Sequence, residues 1–169
     1  MFTVSFNNNN YTNVSIFNYG LGDKIETKKL KIFSDTSSST FSQIDDTSNY
    51  YLRKKKIFNL FPDKFNSESI NAELSTLSEF TKKFNVKKID ILKIDTEGFE
   101  YNILNGLENY QFKNIDIIYF EHHYDLMLKK NYKFSDINKL LKSQNFKMVF
   151  KVKMKFRKTF EYIYEFKKK

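Results

Sequence analysis

The residues best equipped for chemistry stand in two short stretches. Asp95, Thr96 and Glu97 follow the apolar run Ile89 to Ile94, and Glu121, His122 and His123 close the run Ile115 to Phe120. A carboxylate at such a point can act as a base, hold a hard cation or contact a polar substrate. His122 and His123 are the only histidines, and an imidazole beside carboxylates can carry a proton or ligate a metal. Two carboxylates and one histidine could hold Mg²⁺ or another hard divalent cation, although the spacing matches no metal signature. Plainer roles compete. Asp95 could simply cap a helix, and Glu97 could sit at the favourable end of a helix dipole. Glu121 could pair with Lys93 inside the preceding strand.

These residues need two strands to bring them together. Ile89 to Ile94 is short and apolar enough for a strand buried on both faces. Asp95, Thr96 and Glu97 would then cap a helix whose Phe99, Ile103 and Leu107 face the sheet, with Gly106 ending it in a left-handed conformation. Ile115 to His122 reads as a second strand. A strand–helix–strand unit of this kind is parallel, so both strands end at one edge. Asp95, Glu97 and Glu121 would gather there with His122 and His123 just beyond, at the edge where open α/β sheets bind ligands.

Elsewhere the pattern is mixed. Residues 14–19 and 29–33 alternate like a pair of strands, with a turn signal at Gly20 to Asp23. Residues 34–49 read as a surface loop, and 50–65 give no clear pattern. Ile70 to Leu74 could be a short strand. Leu77 to Phe84 reads as a helix with Thr76 as its N-cap, and Ser135 would cap a helix carrying Ile137, Leu140 and Leu141. Residues 146–156 and 159–166 form a closing antiparallel hairpin. Lys151, Lys153, Lys155 and Arg157 would line its solvated face.

The 169 residues, with 40% hydrophobic content, 19 Phe and 11 Tyr, are enough for one domain over residues 1–169 with a real core. The lack of cysteine excludes disulfides, thiolate zinc sites and thiol nucleophiles. No run reaches membrane-spanning length, and the first residues lack the regions of a signal peptide, so a cytoplasmic protein is expected. The net charge of +9 comes from lysine far more than arginine, which argues against specific nucleic-acid readout.

The stretch from Ile89 to Glu100, continued by Ile103 to Gly106, resembles the signature of the FkbM-type methyltransferases. Thr76, Leu77 and Ser78 are similar to that family's Thr-Leu-Asp segment, and Ile115 to Glu121 to its following strand. Ser38 to Phe41 resembles a Ser-rich stretch between them. The resemblance covers about residues 14–121, and more loosely the terminal hairpin. It implies a Rossmann-like α/β methyltransferase fold and S-adenosylmethionine as cofactor. It also implies O-methyl transfer to a hydroxyl of a sugar, lipid or natural product. By the same resemblance Asp95 would be the acceptor-side base or ligand, Glu97 and Glu121 would support it, and His122 or His123 would come next. Asn18, Tyr19 and Gly20 would touch the adenine.

Two departures stand out. Ser78 replaces the family's Asp. The family's Asp-x-Gly-Ala-Asn-x-Gly loop has no counterpart among the four glycines, Gly20, Gly22, Gly98 and Gly106. The resemblance therefore implies a fold incomplete at its N-terminus, ending in an antiparallel hairpin. The sheet would close up by pairing 14–19 with 89–94 or take a second chain, or the chain would be a truncated, distal piece of a longer gene product. The alternative to an enzyme is a non-catalytic binding or assembly module.

Overall fold

The computed structural model describes residues 13–33, 39–58, 67–155 and 158–168. In chain order these form β1 (Gly20–Gly22), β2 (Glu26–Phe33), β3 (Gln43–Ile44), α1 (Asn49–Phe58), β4 (Ser67–Thr76) and α2 (Leu77–Lys83). There follow β5 (Ile89–Ile94), α3 (Glu100–Asn105), a 3₁₀ turn (Asn109–Asn114), β6 (Ile115–His123), β7 (Leu128–Lys129), α4 (Phe134–Ser143), β8 (Phe146–Lys153) and β9 (Thr159–Phe166). The mixed α/β class is as expected.

The main sheet has the order β5-β6-β9-β8. As expected, β5 and β6 are parallel, in register from Ile89↔Ile115 to Ile94↔Phe120. The closing hairpin is also present: β9 runs antiparallel between β6 and β8. One face of this sheet carries Ile118, Phe120, Tyr162 and Tyr164, all fully buried against Ile103 and Leu104 of α3 and Ile137 and Leu141 of α4. Each such aliphatic side chain contributes about 1.5–3 kcal/mol by leaving water, so this face anchors β5 and β6. The opposite face is less covered. Ile91 is 62% exposed and Lys93 is exposed too, so β5 is not buried on both faces. Among the described residues β5 pairs only with β6, which leaves its outer edge open.

The second sheet has the order β1-β4-β2 and corrects several expectations. Residues 14–17 form no strand, and β2 pairs antiparallel with β4 instead of with them. Their alternation has another cause: the Phe17 ring packs on Phe80 of α2 and on Phe84 at its C-cap, with centroids 5.1 and 4.5 Å away. Gly20 to Gly22 is strand rather than turn, pairing parallel with Leu74 to Thr76. The strand expected at 70–74 extends over Ser67–Thr76, its polar ends hidden from a search for apolar alternation. No pairing joins 14–19 to β5, so the sheet does not close up. Gln43 and Ile44 pair with β7 in a third, two-stranded sheet.

Residues 39–48 are more than a surface loop, since Thr40 is 1% exposed; residues 34–38 lie outside the described residues. In the stretch without a clear pattern, residues 50–58 lie in α1 and 59–66 lie outside. Thr76 caps α2 as expected, accepting the Glu79 N–H at 3.1 Å. Ser135 lies inside α4, whose cap position is Lys133. Lys151 and Lys153 are exposed, with Lys151 Nζ 4.7 Å from the Phe160 ring centroid; Arg157 lies outside the described residues.

α3 begins later than expected. Its cap position is Phe99, which makes no side-chain cap bond, so Asp95, Thr96 and Glu97 stand in the preceding turn. Left-handed backbone occurs at Glu97 (φ 49°) and Gly98 (φ 93°), whereas Gly106 has φ −77°. Gly106 answers a different need: a Cβ there would lie 2.1 Å from the Gly22 carbonyl oxygen. Only glycine lets the end of α3 approach β1 this closely.

Candidate functional site

The parallel register sets the site. Because Ile94 stands opposite Phe120, Asp95 and Glu121 leave the sheet at the same edge. Period two along β6 then sends Glu121 and His123 to one face and His122 to the other. The turn after Asp95 brings Glu97 back over that edge.

His123 is the hub. Its Nε2 lies 3.2 Å from Glu97 Oε2 and 3.7 Å from Glu121 Oε1, and its Nδ1 lies 3.4 Å from Asp125 Oδ2 and 3.2 Å from Thr159 Oγ1. Neither His123 Nε2 nor Glu121 Oε1 makes an aligned hydrogen bond, although both atoms are buried. Burial favours the neutral imidazole, but the hydrogen bond to Asp125 and the charges of Glu97, Asp125 and Glu121 outweigh it. The His123 pKa is raised. Burial raises Glu97 and Glu121 as well, with the His123 charge only partly opposing it. The Lys130 ammonium donates to the His123 carbonyl, and its own pKa is lowered by burial.

His122 belongs to a separate group, its ring 4.9 Å from Tyr124 and 5.9 Å from both Tyr132 and Phe134. Burial lowers its pKa, despite Glu100 Oε2 at 3.9 Å from Nδ1. Glu100 is fully buried and accepts from the Tyr132 hydroxyl at 2.5 Å and the Gly98 N–H at 2.7 Å. Burial favours its acid form, but His122, Tyr132 and the Gly98 amide more than compensate, and the pKa is lowered. It is an ionised, satisfied carboxylate. The expected Lys93–Glu121 pair does not form. Lys93 Nζ instead bonds Asp95 at 3.0 Å on the surface, where Asp95 is 44% exposed.

A family comparison bears on this arrangement: the model described as "Methyltransferase FkbM domain" matches residues 3–148. The chain belongs to the FkbM methyltransferase family. The match spans both strands that carry the site and stops at the start of the terminal hairpin. Comparison with curated proteins and with solved structures gives no match.

In this member of the family, Asn18, Tyr19 and Gly20 line a cavity of about 610 Å³, together with Phe17, Phe41 and Glu73. Phe41 connects that cavity to the carboxylates, because its neighbours Thr40 and Ser42 bond the Glu97 and Gly98 carbonyls. A cavity of about 350 Å³ beside Lys88, Ile89 and Ile115 lies at the opposite end of β5 and β6. Ser78, singled out in the sequence as a departure from the resemblance, is buried in a structural network. It donates to Gln111 Oε1 and accepts the Glu108 N–H at 2.9 Å.

Among the described residues, no group of three or more His, Asp and Glu side chains could hold a metal ion, so no step is assigned to one. Glu100, Asp125, Lys130 and Tyr132 were not singled out in the sequence. Asp125 had a local clue, an acid two residues beyond a histidine. Glu100 had another, at helical spacing from Glu97. Lys130 and Tyr132 had none.

No helix of the described residues is long and apolar enough to cross a membrane.

Proposed function

We propose that this chain acts in S-adenosylmethionine-dependent methyl transfer to a hydroxyl of a small molecule such as a sugar, a lipid or a natural product. The observation that carries the reading is His123, in a chain of this family. Asp125 holds its Nδ1 side, and its Nε2 faces Glu97 and Glu121 with no aligned hydrogen bond.

Bound S-adenosylmethionine supplies an electrophilic methyl group on a sulfonium. Transfer of that methyl to a hydroxyl would release the hydroxyl proton, which this chain's own residues would have to take up. Glu97 and Glu121, each with 14% of its side chain exposed, stand between solvent and the buried imidazole. They would receive the proton and pass it to His123 Nε2. Asp125 would fix the imidazole tautomer and stabilise the imidazolium. Asp95, on the rim, would contact the acceptor. His122, among its rings, would serve by packing rather than by proton transfer.

The residues present fit an adenosine group. Phe17 and Tyr19 offer ring faces, Asn18 offers amide groups, and Glu73 offers a carboxylate for ribose hydroxyls. The fold in this reading is Rossmann-like, with the carboxyl ends of β5 and β6 forming the acceptor edge. Calorimetric titration with S-adenosylhomocysteine tests it. Binding in the micromolar range is expected, and no heat up to millimolar ligand would sink catalysis by this chain alone.

A second reading is a non-catalytic assembly module, favoured by the edge of β5 that stays open among the described residues and by the exposed Ile91. An unpaired parallel edge invites another strand, and a second chain seated there would complete the sheet. Sedimentation separates the readings: an assembly module should associate at micromolar concentration, and Ile91→Lys should abolish the association.

A further inference from the structure

The Glu97–Gly98 turn is one that the backbone does not favour. Glu97 is a non-glycine residue in left-handed conformation, and such strain persists only where neighbours over-determine it. Three side chains do so. Thr40 Oγ1 donates to the Glu97 carbonyl at 2.6 Å, Ser42 Oγ donates to the Gly98 carbonyl at 2.7 Å, and Glu100 Oε1 accepts the Gly98 N–H at 2.7 Å. A Cβ on Gly98 would lie 3.0 Å from Leu128 and 3.2 Å from the Ser42 hydroxyl, so a side chain there would be crowded as well as strained.

The segment that supplies Thr40 and Ser42 grips the other half of the site as well. Gln43 and Ile44 pair with Lys129 and Leu128, and the Asp45 N–H bonds the Met127 carbonyl at 2.7 Å. That stretch leads directly from His123 and Asp125. At its other end the segment is fastened to β2 by two Thr40–Lys31 backbone bonds of 3.0 Å. One short piece of chain therefore bridges the turn that carries Glu97 and the strand that follows His123.

We propose that Thr40 and Ser42 are positioning residues, whose hydroxyls clamp the Glu97 and Gly98 carbonyls and so hold the Glu97 carboxylate against His123 Nε2. The proposal rests on reading Glu97 and His123 as the proton-handling pair, but its test requires no turnover. Several charged groups surround that pair. Glu121 comes from β6, Asp125 and Lys130 flank β7, Asp95 lies beside Glu121, and Lys54 of α1 acts on Glu97. None of these belongs to the Thr40–Ser42 segment.

With only two histidines in the chain, proton NMR can follow each imidazole separately through a pH titration of the intact protein. Glu97→Gln should lower the His123 midpoint by about 1 pH unit, the scale set by a nearby opposite charge. Thr40→Val and Ser42→Ala should each reproduce roughly half of that fall, while Thr40→Ser restores the wild-type midpoint and His122 stays in place. If Thr40→Val unfolds, Ser42→Ala decides alone, since it deletes one hydroxyl from a half-buried position. A His123 midpoint unmoved in the folded Ser42→Ala variant, but lowered in Glu97→Gln, would overturn the proposal. A midpoint unmoved in Glu97→Gln would overturn the underlying Glu97–His123 reading, and the proposal with it.

Discussion

Glu97 Oε2 stands 3.2 Å from His123 Nε2, yet that nitrogen makes no aligned hydrogen bond. The pair is close enough for strong electrostatic coupling and free enough for the nitrogen to accept a proton. The chain maintains this at a cost on the order of 1–3 kcal/mol, the price of left-handed backbone at Glu97.

Stability should record the pair directly. His123 has a raised folded-state pKa, so its contribution is fully present below the unfolded value of about 6.5 and is lost as pH rises through the folded value. His122 has a lowered pKa and acts in the opposite sense, losing stability as pH falls below about 6.5. Of the two histidines, only His123 contributes above that value. This contribution should lower the melting temperature as pH rises above about 6.5, and His123→Asn should flatten that part of the limb. A limb equally steep in the variant would mean that His123 is not the group responsible.

Glu100 leads to a second expectation. Its carboxylate is fully buried, with the Tyr132 hydroxyl as one of its donors. Tyr132→Phe keeps the ring and removes only that donor, so it should destabilise by about 1–3 kcal/mol in urea melts. It should also raise the Glu100 pKa. A carboxylate with a lowered folded pKa loses its stabilisation as pH falls through that pKa, so the acid unfolding limb should move to higher pH. Wild-type stability in the variant would mean that solvent replaces the hydroxyl.

The sequence made the parallel β5–β6 pair and the terminal hairpin legible because both depend on local periodicity. Asp95, Glu97, Glu121 and His123 could be assembled from that pairing alone. His122 was grouped with them, although it packs in a separate aromatic group on the opposite face of β6. The Thr40 and Ser42 contacts were not legible, since each spans more than fifty residues of chain and a hydroxyl in a polar stretch carries no signal of burial. Residues 14–17 misled because alternation reports one-sided packing, which here is aromatic contact with α2 rather than a sheet. Gly106 misled because a glycine after a helix suggests a left-handed cap, whereas the space beside Gly22 was invisible.

Gly106→Ala tests that last distinction. If the residue were needed for its backbone angle, alanine at φ −77° would be tolerated. The added methyl would instead meet the Gly22 carbonyl at 2.1 Å, which backbone cannot easily yield. Destabilisation of about 3 kcal/mol, at the top of the overpacking range, is expected in chemical denaturation. A loss of less than about 0.5 kcal/mol, the scale of ordinary surface changes, would mean that α3 and β1 can separate freely.

The cavity beside Asn18, Tyr19 and Gly20 should be testable without knowledge of the acceptor. Tyr19 offers a ring face and Glu73 a carboxylate, and both groups line this cavity and a neighbouring one of about 550 Å³. If adenosine lies there, Tyr19→Ala should weaken S-adenosylhomocysteine by about tenfold, the scale of one lost base-stacking contact. Glu73→Ala should weaken it similarly by removing the acceptor for ribose hydroxyls, but should leave adenine affinity unchanged. That difference separates the sugar contact from the ring contact. His123→Asn should alter neither affinity, because His123 does not line that cavity. Loss of cofactor binding in His123→Asn, with Tyr19→Ala unaffected, would move the cofactor away from the Tyr19 cavity and onto the carboxylate edge itself.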